Sequence, residues 1–416
     1  MYIKKWLILV GALGLALRIA LALTIKPVLI YDSLEYHQYA KNLATEHRYY
    51  ANILNTPQGT ISGKFYSLRA PGYVFFVAAV YKLFNFNTQA VCLIQAFLDF
   101  VSGIFVYLIA RNWLKPKHSF YAFLGWQILL VYVPMLMSEA FFMFWFLFSL
   151  WILAGTKRTG WSWLSLSALS WGIIILTKPE MIIFVPLIFC YLVLKNYSRT
   201  SLAKAVLWLT IMTITILPWL WREKNVHNRF VWITTRGGMT FFDGNYLPIE
   251  KRKVFAIADK HNLDEAELDT LFYQLTFNYL KEHPRHYFKA ALKRLAAMFE
   301  PETYNGLGRF FLMPLLEKKQ TFTTALAFTG YFLFLGSKLI MIIGLVSAIL
   351  LFRRFKELIL IYFIPILILL FHFALFHAKP RYLIPAYPCL CIFFALAMER
   401  LGKITCVKIK DQKDKN

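Results

Sequence analysis

Residues 6–25 read WLILVGALGLALRIALALTI, and the next polar stretch, YDSLEYHQYA, begins at Tyr31. An apolar run of about 20 residues can cross the hydrocarbon core of a bilayer as a single helix. Asp32 then follows the first predicted span at the membrane boundary, where a carboxylate costs far less free energy than it would inside the hydrocarbon. This pairing of an apolar run with a polar end recurs along the chain and decides the fold class.

The composition agrees with that first run. The chain has 416 residues, of which 59% are hydrophobic and 18% aromatic, and its mean hydropathy is +0.53. Soluble domains are about half apolar. The apolar runs are continuous rather than alternating, which predicts spanning helices and excludes a transmembrane β-barrel. The runs cover residues 6–25, 73–86, 88–110, 119–137, 140–156, 160–177, 180–194, 203–221, 322–352, 357–377 and 382–399.

The net charge of +24 comes from Lys and Arg that collect in short connections and at the two ends of the chain. Such clusters mark the cytoplasmic side of a membrane protein. No basic domain with interleaved aromatic residues is visible, so nucleic acid is not a predicted partner. The clusters are Lys4/Lys5, Arg111/Lys115/Lys117, Lys157/Arg158, Lys195/Arg199/Lys204, Arg353/Arg354/Lys356 and the tail from Lys403.

This charge pattern fixes a predicted topology. The run at 73–86 is short, and if it crossed the bilayer every later basic cluster would be inverted. We therefore predict an all-α polytopic membrane protein with about ten transmembrane helices, an interfacial helix at 71–86 and both termini in the cytoplasm. The predicted units are a transmembrane core at 1–221 with a first outer loop at 26–87, an extracytoplasmic cap at 222–321, transmembrane helices at 322–401 and a basic cytoplasmic tail at 402–416.

The two outer segments carry their own patterns. The first loop has an amphipathic helical pattern from about Ser33 to Ala44. The cap opens with NRFVWITTRGGMTFFDGNY at Asn228, whose β-branched residues and Gly turns are typical of strands. Asp264 and Pro284 each precede a helical pattern. The cap is therefore expected to be mixed α/β or helical.

Polar residues border the apolar runs mainly on the predicted outer side. Guanidinium and ammonium groups suit an anionic phosphate, whereas carboxylates suit base chemistry or a divalent cation. Together they indicate a phosphate-bearing lipid and a proton to be removed. These residues are Asp32, Glu35, His37, Arg69, Glu139, Lys178, Glu180, Arg222, Asn245, His377, Lys379 and Arg381.

Six short motifs occur in order along the chain. They are DSLEYHQYA from Asp32, RAPGYVFFVAAVYKLF from Arg69, SEAFFMFW from Ser138, TKPEMIIFVPL from Thr177, LPWLWRE from Leu217 leading to FDGN, and HAKPRYLIPAYP from His377. Their order resembles the polyprenyl-phosphate-sugar-dependent glycosyltransferases of the GT-C fold. Within that fold it is most similar to glycosyltransferase family 39, relatives of protein O-mannosyltransferases and of lipid A aminoarabinose transferases.

The resemblance implies roles for particular residues. Asp32 corresponds to the catalytic base of the first outer loop, and Glu139 is expected to face the same cavity as a second catalytic carboxylate. Ser33 replaces the second acid that many relatives carry, a departure that argues against a metal site on paired carboxylates of this loop. A divalent cation on Asp32 and Glu139 stays an open alternative, and the cofactor is unknown. The expected phosphate-binding residues are Arg69, Arg222, Arg381 and Lys178. The expected donor or acceptor contacts are Glu35, His37, Glu180, Asn245, His377 and Tyr382.

Each assignment has a structural alternative. Asp32 could cap the helix at 33–44, with Glu35 as its capping-box partner or as a surface residue. His37 could be a polar residue on the face of the same helix. Lys178 could pair with Glu180 across Pro179. Arg381 lies between prolines that would also suit a structural entry turn.

The function implied by the resemblance is transfer of a sugar from a polyprenyl-phosphate carrier to a hydroxyl or phosphate of an extracytoplasmic lipid, glycan or protein. The carrier supplies the leaving group, so the enzyme needs one base and a cationic site for the departing phosphate, with inversion at the anomeric carbon. The expected location is the bacterial cytoplasmic membrane. A flippase or transporter and a polymerase or ligase of lipid-linked sugars are the alternatives; the sequence names neither sugar nor acceptor.

Overall fold

The structure is a computed structural model that describes residues 2–56, 59–129, 132–155, 158, 160–194, 198–299, 321–352, 358–375 and 377–413. Its helices are α1 (Tyr2–Thr24), α2 (Asp32–Glu46), α3 (Pro71–Leu83), α4 (Thr88–Ala110), α5 (Pro116–Gln127), α6 (Glu139–Ala154), α7 (Trp161–Ile175), α8 (Val185–Leu194), α9 (Arg199–His227), α10 (Gly237–Gly244), α11 (Lys251–Lys260), α12 (Glu265–Glu282), α13 (Pro284–Phe299), α14 (Thr321–Leu350), α15 (Ile359–Ala374) and α16 (Tyr387–Lys413). Two 3-10 helices, Pro179–Phe184 and Pro380–Ala386, lead into α8 and α16.

The predicted fold class, a polytopic helical membrane protein, is confirmed. Four helical segments of the described chain are long and apolar enough to cross a bilayer, namely Ile3–Thr24, Thr88–Ala110, Arg199–His227 and Pro380–Gly402. Shorter apolar helices lie between them, including Glu139–Ala154 and Ile359–Ala374. The count of ten spans and their sidedness stay predictions. Lys157, Lys195 and the cluster at Arg353 lie outside the described residues.

The first outer loop folds against the transmembrane core. Helix α2 runs from Asp32 to Glu46, close to its predicted bounds. A two-stranded antiparallel sheet follows, which the sequence reading missed, with Ala51–Thr56 paired to Gly59–Phe65. The Tyr39 hydroxyl donates to the Phe65 carbonyl at 2.9 Å and accepts from the Leu68 amide at 3.0 Å, joining α2 to the segment after the hairpin. This loop brings the residues of α2 and Arg69 to the same surface.

The predicted span at 119–137 is shorter than expected. Helix α5 ends at Gln127, and the described residues 132–138 are not helical. Their backbone groups would be costly at membrane depth without partners, unless they line a cavity inside the protein. The buried Gln95 amide of α4 donates to the carbonyls of Met135 at 2.7 Å and Val133 at 3.3 Å. This compensation by a distant side chain explains why an apolar run fails to continue as a helix.

The described part of the cap, up to Phe299, is helical. The expected strands after Asn228 are absent from these residues, and Gly237 begins helix α10 instead. A side chain at Gly238 would collide with the backbone of Asp269, so α10 can approach α12 only because glycine stands there. Asp264 and Glu267 form a complete capping box at the start of α12, as the helix signal at Asp264 predicted. Residues 300–320 lie outside the described part.

The Pro71–Gly72 pair sets how α3 meets α7. The Gly72 amide donates to the Leu176 carbonyl at 2.7 Å. A Cβ on residue 72 would lie 3.0 Å from that same oxygen and would also collide with the Thr177 side chain.

We expect Gly72→Ala to destabilise the protein by about 1–3 kcal/mol, because the added methyl forces two packed elements apart. Thermal melting in detergent tests this expectation. Gly402→Ala is the control, since a Cβ there meets nothing within 4 Å. Equal melting temperatures for the two variants would contradict the tight contact.

Candidate active site

A cavity of about 1000 Å³ lies between the first outer loop, the segment before α6, the α7–α8 connection, the start of the cap and the segment before α16. Asp32, Arg69, Glu139, Lys178 and Arg381 all line it. These residues come from five distant parts of the sequence, and the fold brings them together as the motif order predicted.

Asp32 is held between two guanidinium groups. Arg69 Nη2 donates to Asp32 Oδ1 at 2.6 Å, and Arg381 Nη2 donates to Asp32 Oδ2 at 2.8 Å. The carboxylate does not cap α2, because the N-cap residue is Tyr31 and no side-chain cap bond forms. Tyr31 has φ 47° and ψ −123°, a sparsely populated conformation that costs about 1–3 kcal/mol and tends to occur at functional sites. Tyr31 and the adjacent Asp32 both line the cavity.

Glu35 extends this arrangement into the cap. The residue is fully buried, so the interpretation of Glu35 as a surface residue is wrong. It is not a capping-box partner either, because the N-cap of α2 is Tyr31 and no side-chain cap bond forms. Its carboxylate accepts from Arg69 Nε at 2.6 Å and from Arg236 Nη1 at 2.9 Å. The order Arg236, Glu35, Arg69, Asp32, Arg381 therefore alternates positive and negative charges across the site.

These arginines control the ionisation of Asp32. Burial alone would raise the pKa of Asp32, but Arg69, Arg381 and Arg236 together lower it well below its usual range. The carboxylate is therefore ionised at neutral pH, and its basicity depends on how strongly the guanidinium groups hold it.

Glu139 and Lys178 form a second charged pair. Glu139 begins α6 and is 3% exposed, and its Oε1 lies 3.5 Å from Lys178 Nζ. The expected ion pair of Lys178 with Glu180 is not present among the described residues, although Glu180 also lines the cavity.

Three residues that line this cavity each carry a buried side-chain atom with no hydrogen-bond partner within the described part of the chain. The atoms are Glu139 Oε2, His377 Nδ1 and Arg381 Nε. Buried polar atoms are seldom left without partners in folded proteins, so atoms of this kind on a cavity indicate a place for a ligand or water.

Of the other predicted contacts, Tyr382 lies on the cavity and His37 does not. Tyr382 lines the cavity and stacks on His372, with ring centres 4.7 Å apart. His37 instead pairs with the buried Tyr81 hydroxyl at 2.7 Å through Nδ1, which supports a structural role on α2.

Arg222 and Asn245 do not line the cavity. The Arg222 guanidinium donates to the Tyr49 and Tyr66 carbonyls, at 3.0 and 2.9 Å, and also binds Glu223. Asn245 accepts from Arg294 at 2.8 Å through its side-chain oxygen. Both residues instead hold the outer loop or the cap in place.

Sequence reasoning missed two basic residues of the site, Arg236 and Lys251. Arg236 reaches Glu35, and Lys251 pairs with Asp243 at 2.5 Å between Nζ and Oδ2. Both basic residues line the cavity. Arg236 stands directly before Gly237–Gly238, where helix α10 begins. The β-branched residues before this pair favoured a strand, and for that reason the sequence did not predict a helix here.

The carboxylates of this cavity already have cationic partners. No group of three or more His, Cys, Asp or Glu side chains in the described ranges is arranged to hold a metal ion. Both Asp32 oxygens accept from arginines, and Glu139 lies beside Lys178. Positive neighbours of this kind compete with a metal ion for the same oxygens.

A separate carboxylate ties the cap to the outer loop. Glu265 accepts from the amides of Tyr66 at 2.5 Å and Ser67 at 3.0 Å, and from the Thr235 hydroxyl. Burial raises the pKa of Glu265 to about 7, although these three donors oppose the rise. Because the folded-state pKa lies above the usual value of 4.5, ionisation of Glu265 disfavours the folded state as pH rises through this window.

We therefore expect Glu265→Gln to flatten the dependence of melting temperature on pH between about 4.5 and 7. The wild-type protein should lose stability across this window relative to the variant. Ionisation of Glu265 should lower the free energy of unfolding of the wild type by at most about 3 kcal/mol across this window. Melting curves at several pH values test this, with the exposed Glu282→Gln as a matched control. Parallel curves for the wild type and Glu265→Gln would contradict the role of this carboxylate.

Comparison with known proteins identifies the fold. Residues 68–221 match the family model described as dolichyl-phosphate-mannose-protein mannosyltransferase. No curated protein matches the chain significantly.

Solved structures match nearly the whole chain. The Archaeoglobus fulgidus oligosaccharyltransferase in the apo form has a TM-score of 0.56 and 14% identity, with 97% of this chain and 52% of that chain covered. The same organism's AglB, in complex with an inhibitory peptide and a dolichol-phosphate, has a TM-score of 0.53 and 15% identity, with 99% and 52% covered. ArnT from Cupriavidus metallidurans bound to undecaprenyl phosphate has a TM-score of 0.45 and 12% identity, with 94% and 77% covered.

The chain spans about half the length of the archaeal structures that it matches. The resemblance read from the motifs is confirmed, and the chain has the GT-C fold that is shared by these glycosyltransferases.

Proposed function

We propose that the protein is a membrane glycosyltransferase that moves a sugar from a polyprenyl-phosphate carrier to a hydroxyl or phosphate of an extracytoplasmic acceptor. The observation that carries this proposal is the position of Asp32, a carboxylate on a large cavity that is held by Arg69 and Arg381. The AglB structure that shares the fold holds a dolichol-phosphate, which supports a lipid phosphate as the donor's carrier.

The phosphate would bind at the basic side of the cavity. Arg381 Nε has no partner in the described residues. The exposed Lys379 and the half-buried Lys178, which pairs with Glu139, line the same cavity. An arginine binds phosphate through a fork of donors, and lysines add point charges. Arg381 is the best-placed of these groups because it already contacts Asp32.

The proposed reaction uses one base and two phosphate-binding groups. Asp32 accepts the proton of an acceptor hydroxyl while that oxygen attacks the anomeric carbon. The bond from that carbon to the phosphate oxygen breaks, and the polyprenyl phosphate leaves with its added negative charge stabilised by Arg381 and Lys178. Attack opposite the leaving group inverts the anomeric centre. An acceptor that is already ionised, such as a phosphate, would need no base.

Phosphate binding would also change the basicity of Asp32. A phosphate that shares Arg381 weakens the pull of that guanidinium on the carboxylate, so the pKa of Asp32 should rise toward its usual range when the donor is bound. The carboxylate is then a stronger base in the presence of donor than in its absence. This order of events would limit proton abstraction to complexes that already hold the leaving group.

A transfer assay tests the proposal. The protein is reconstituted in vesicles with undecaprenyl phosphates that carry different radiolabelled sugars, together with envelope lipids and glycans as acceptors. We expect label to appear on an acceptor with release of equimolar undecaprenyl phosphate. Movement of intact labelled donor across the bilayer, without loss of its sugar, would instead identify a transporter and overturn the proposal.

A further inference from the structure

We propose that the part of the cavity formed by Glu139, Arg381 and His377 binds the hydroxylated ring of the donor sugar, and that Glu139 distinguishes a glycosylated carrier from a bare one. This inference rests on the proposed function and adds the site at which the sugar is recognised. We call these three residues the sugar corner.

The unpartnered atoms of the sugar corner are the first observation. Glu139 Oε2 is an acceptor without a donor, and Arg381 Nε is a donor without an acceptor. Glu139 is 3% exposed, so bulk water does not compensate the loss. A buried charged group left without a hydrogen bond is costly, and a ligand that supplies both a donor and an acceptor would remove two such costs at once.

The charges of the sugar corner restrict what that ligand is. A second phosphate would be repelled by the Glu139 carboxylate. A metal ion or an amine would be repelled by Lys178, 3.5 Å from Glu139, and by Arg381, which interacts electrostatically with Glu139. A neutral group that both donates and accepts hydrogen bonds meets neither objection. The hydroxyls of a sugar have this property.

His377 adds a neutral member to the sugar corner. Burial, with the nearby Lys379 and Arg381, lowers the pKa of His377 to about 3. The ring is therefore uncharged at neutral pH, and its unpartnered Nδ1 can donate or accept according to the tautomer. The Tyr382 ring, stacked on His372, adds an apolar wall to the same cavity.

The position of Arg381 connects the sugar corner to the proposed chemistry. Its Nη2 donates to Asp32 and its Nε is without a partner. One guanidinium thus belongs to the sugar corner and also contacts the proposed base. A sugar held there would place its anomeric carbon, which bears the phosphate, next to the groups that are proposed to bind that phosphate.

Binding measurements test this inference without an acceptor. The full-length protein in nanodiscs is titrated with bare undecaprenyl phosphate and with a panel of glycosylated undecaprenyl phosphates. We expect the wild type to bind at least one glycosylated carrier about 10–100-fold more tightly than the bare lipid, as hydrogen bonds to a charged group allow. Glu139→Ala should abolish this preference, and it should leave affinity for the bare lipid equal or higher, because Lys178 loses its carboxylate partner.

Glu139→Gln keeps the shape of the side chain and replaces the alanine variant in this test if that variant fails to fold. It should reduce the preference by about 3–10-fold, because a neutral acceptor binds a hydroxyl more weakly than a carboxylate does. The exposed Glu46→Gln is the matched control and should bind every lipid like the wild type.

The outcomes separate the inference from the proposed function. A glutamate variant that keeps the full preference for a glycosylated carrier would overturn the inference, as would a wild type that binds bare undecaprenyl phosphate but prefers no glycosylated form. A wild type that binds neither lipid would overturn the proposed function itself.

Discussion

Asp32→Asn is expected to reduce the rate of sugar transfer about 10²–10⁴-fold, the usual contribution of a general base. Asparagine has nearly the same shape but cannot accept the proton of an acceptor hydroxyl. Affinity for the donor should be unchanged or higher, because the substitution removes a negative charge that competes with phosphate for Arg381. A fall in turnover together with retained donor binding distinguishes loss of a base from loss of the fold.

Initial rates at saturating donor and titrations with undecaprenyl phosphate measure these two effects separately. Asp259→Asn, on the exposed side of α11, is the matched control and should transfer at the wild-type rate. If Asp32→Asn transfers as fast as the wild type, Asp32 is not the base. If it loses donor binding to the same extent as turnover, the carboxylate serves mainly to position the arginines.

Much of the fold could be read from local sequence because membrane helices and helix caps are local signals. The apolar runs at 6–25 and 88–110 correspond to α1 and α4, and the helical pattern that Asp264 precedes corresponds to α12. In each case the deciding residues lie within one helix.

The break after Gln127 was not readable from local sequence. Residues 119–137 look like one span because nearly all are apolar. The compensating amide belongs to Gln95, more than thirty residues earlier in the chain, and donates to the Met135 carbonyl. Only the packing of α4 against this segment shows that the helix can end there.

The site residues that belong to a sequence motif could mostly be predicted. The residues whose role depends on contacts between distant parts of the fold could not. Asp32, Arg69 and Arg381 were expected together from their motifs and do meet. Arg222 was also expected, yet its donors are directed to backbone carbonyls of the outer loop. Arg236, which no motif contained, reaches the buried Glu35.

The contrast between Arg381 and Arg222 gives the second large expected effect. Arg381→Ala should weaken binding of undecaprenyl phosphate about 10–100-fold, since it removes a charge-assisted contact to phosphate. The rate of transfer should fall further, by about 10²–10³-fold in total, because the same group stabilises the departing phosphate. Arg222→Ala should leave both quantities near the wild-type values.

The two arginines should differ in the opposite sense in thermal melting. Arg222 holds the carbonyls of Tyr49 and Tyr66 and stacks near Trp219, with its guanidinium carbon 4.7 Å from the ring centre. Its loss removes these hydrogen bonds and the ring contact and should cost about 1–3 kcal/mol of stability. Arg381→Ala removes a partner of Asp32 on an open cavity, so its effect on melting temperature should be smaller.

Arg381→Lys decides whether charge alone is enough. A lysine supplies one compact positive group, whereas arginine presents several donors in a fixed plane. In this site one donor of Arg381 binds Asp32 while Nε is left for a ligand, an arrangement that a single ammonium group cannot reproduce. We therefore expect Arg381→Lys to recover lipid binding more fully than transfer.

If Arg381→Lys restores both to the wild-type level, the role of Arg381 is electrostatic only. If Arg222→Ala loses lipid binding without a change in melting temperature, the phosphate site has been placed on the wrong arginine.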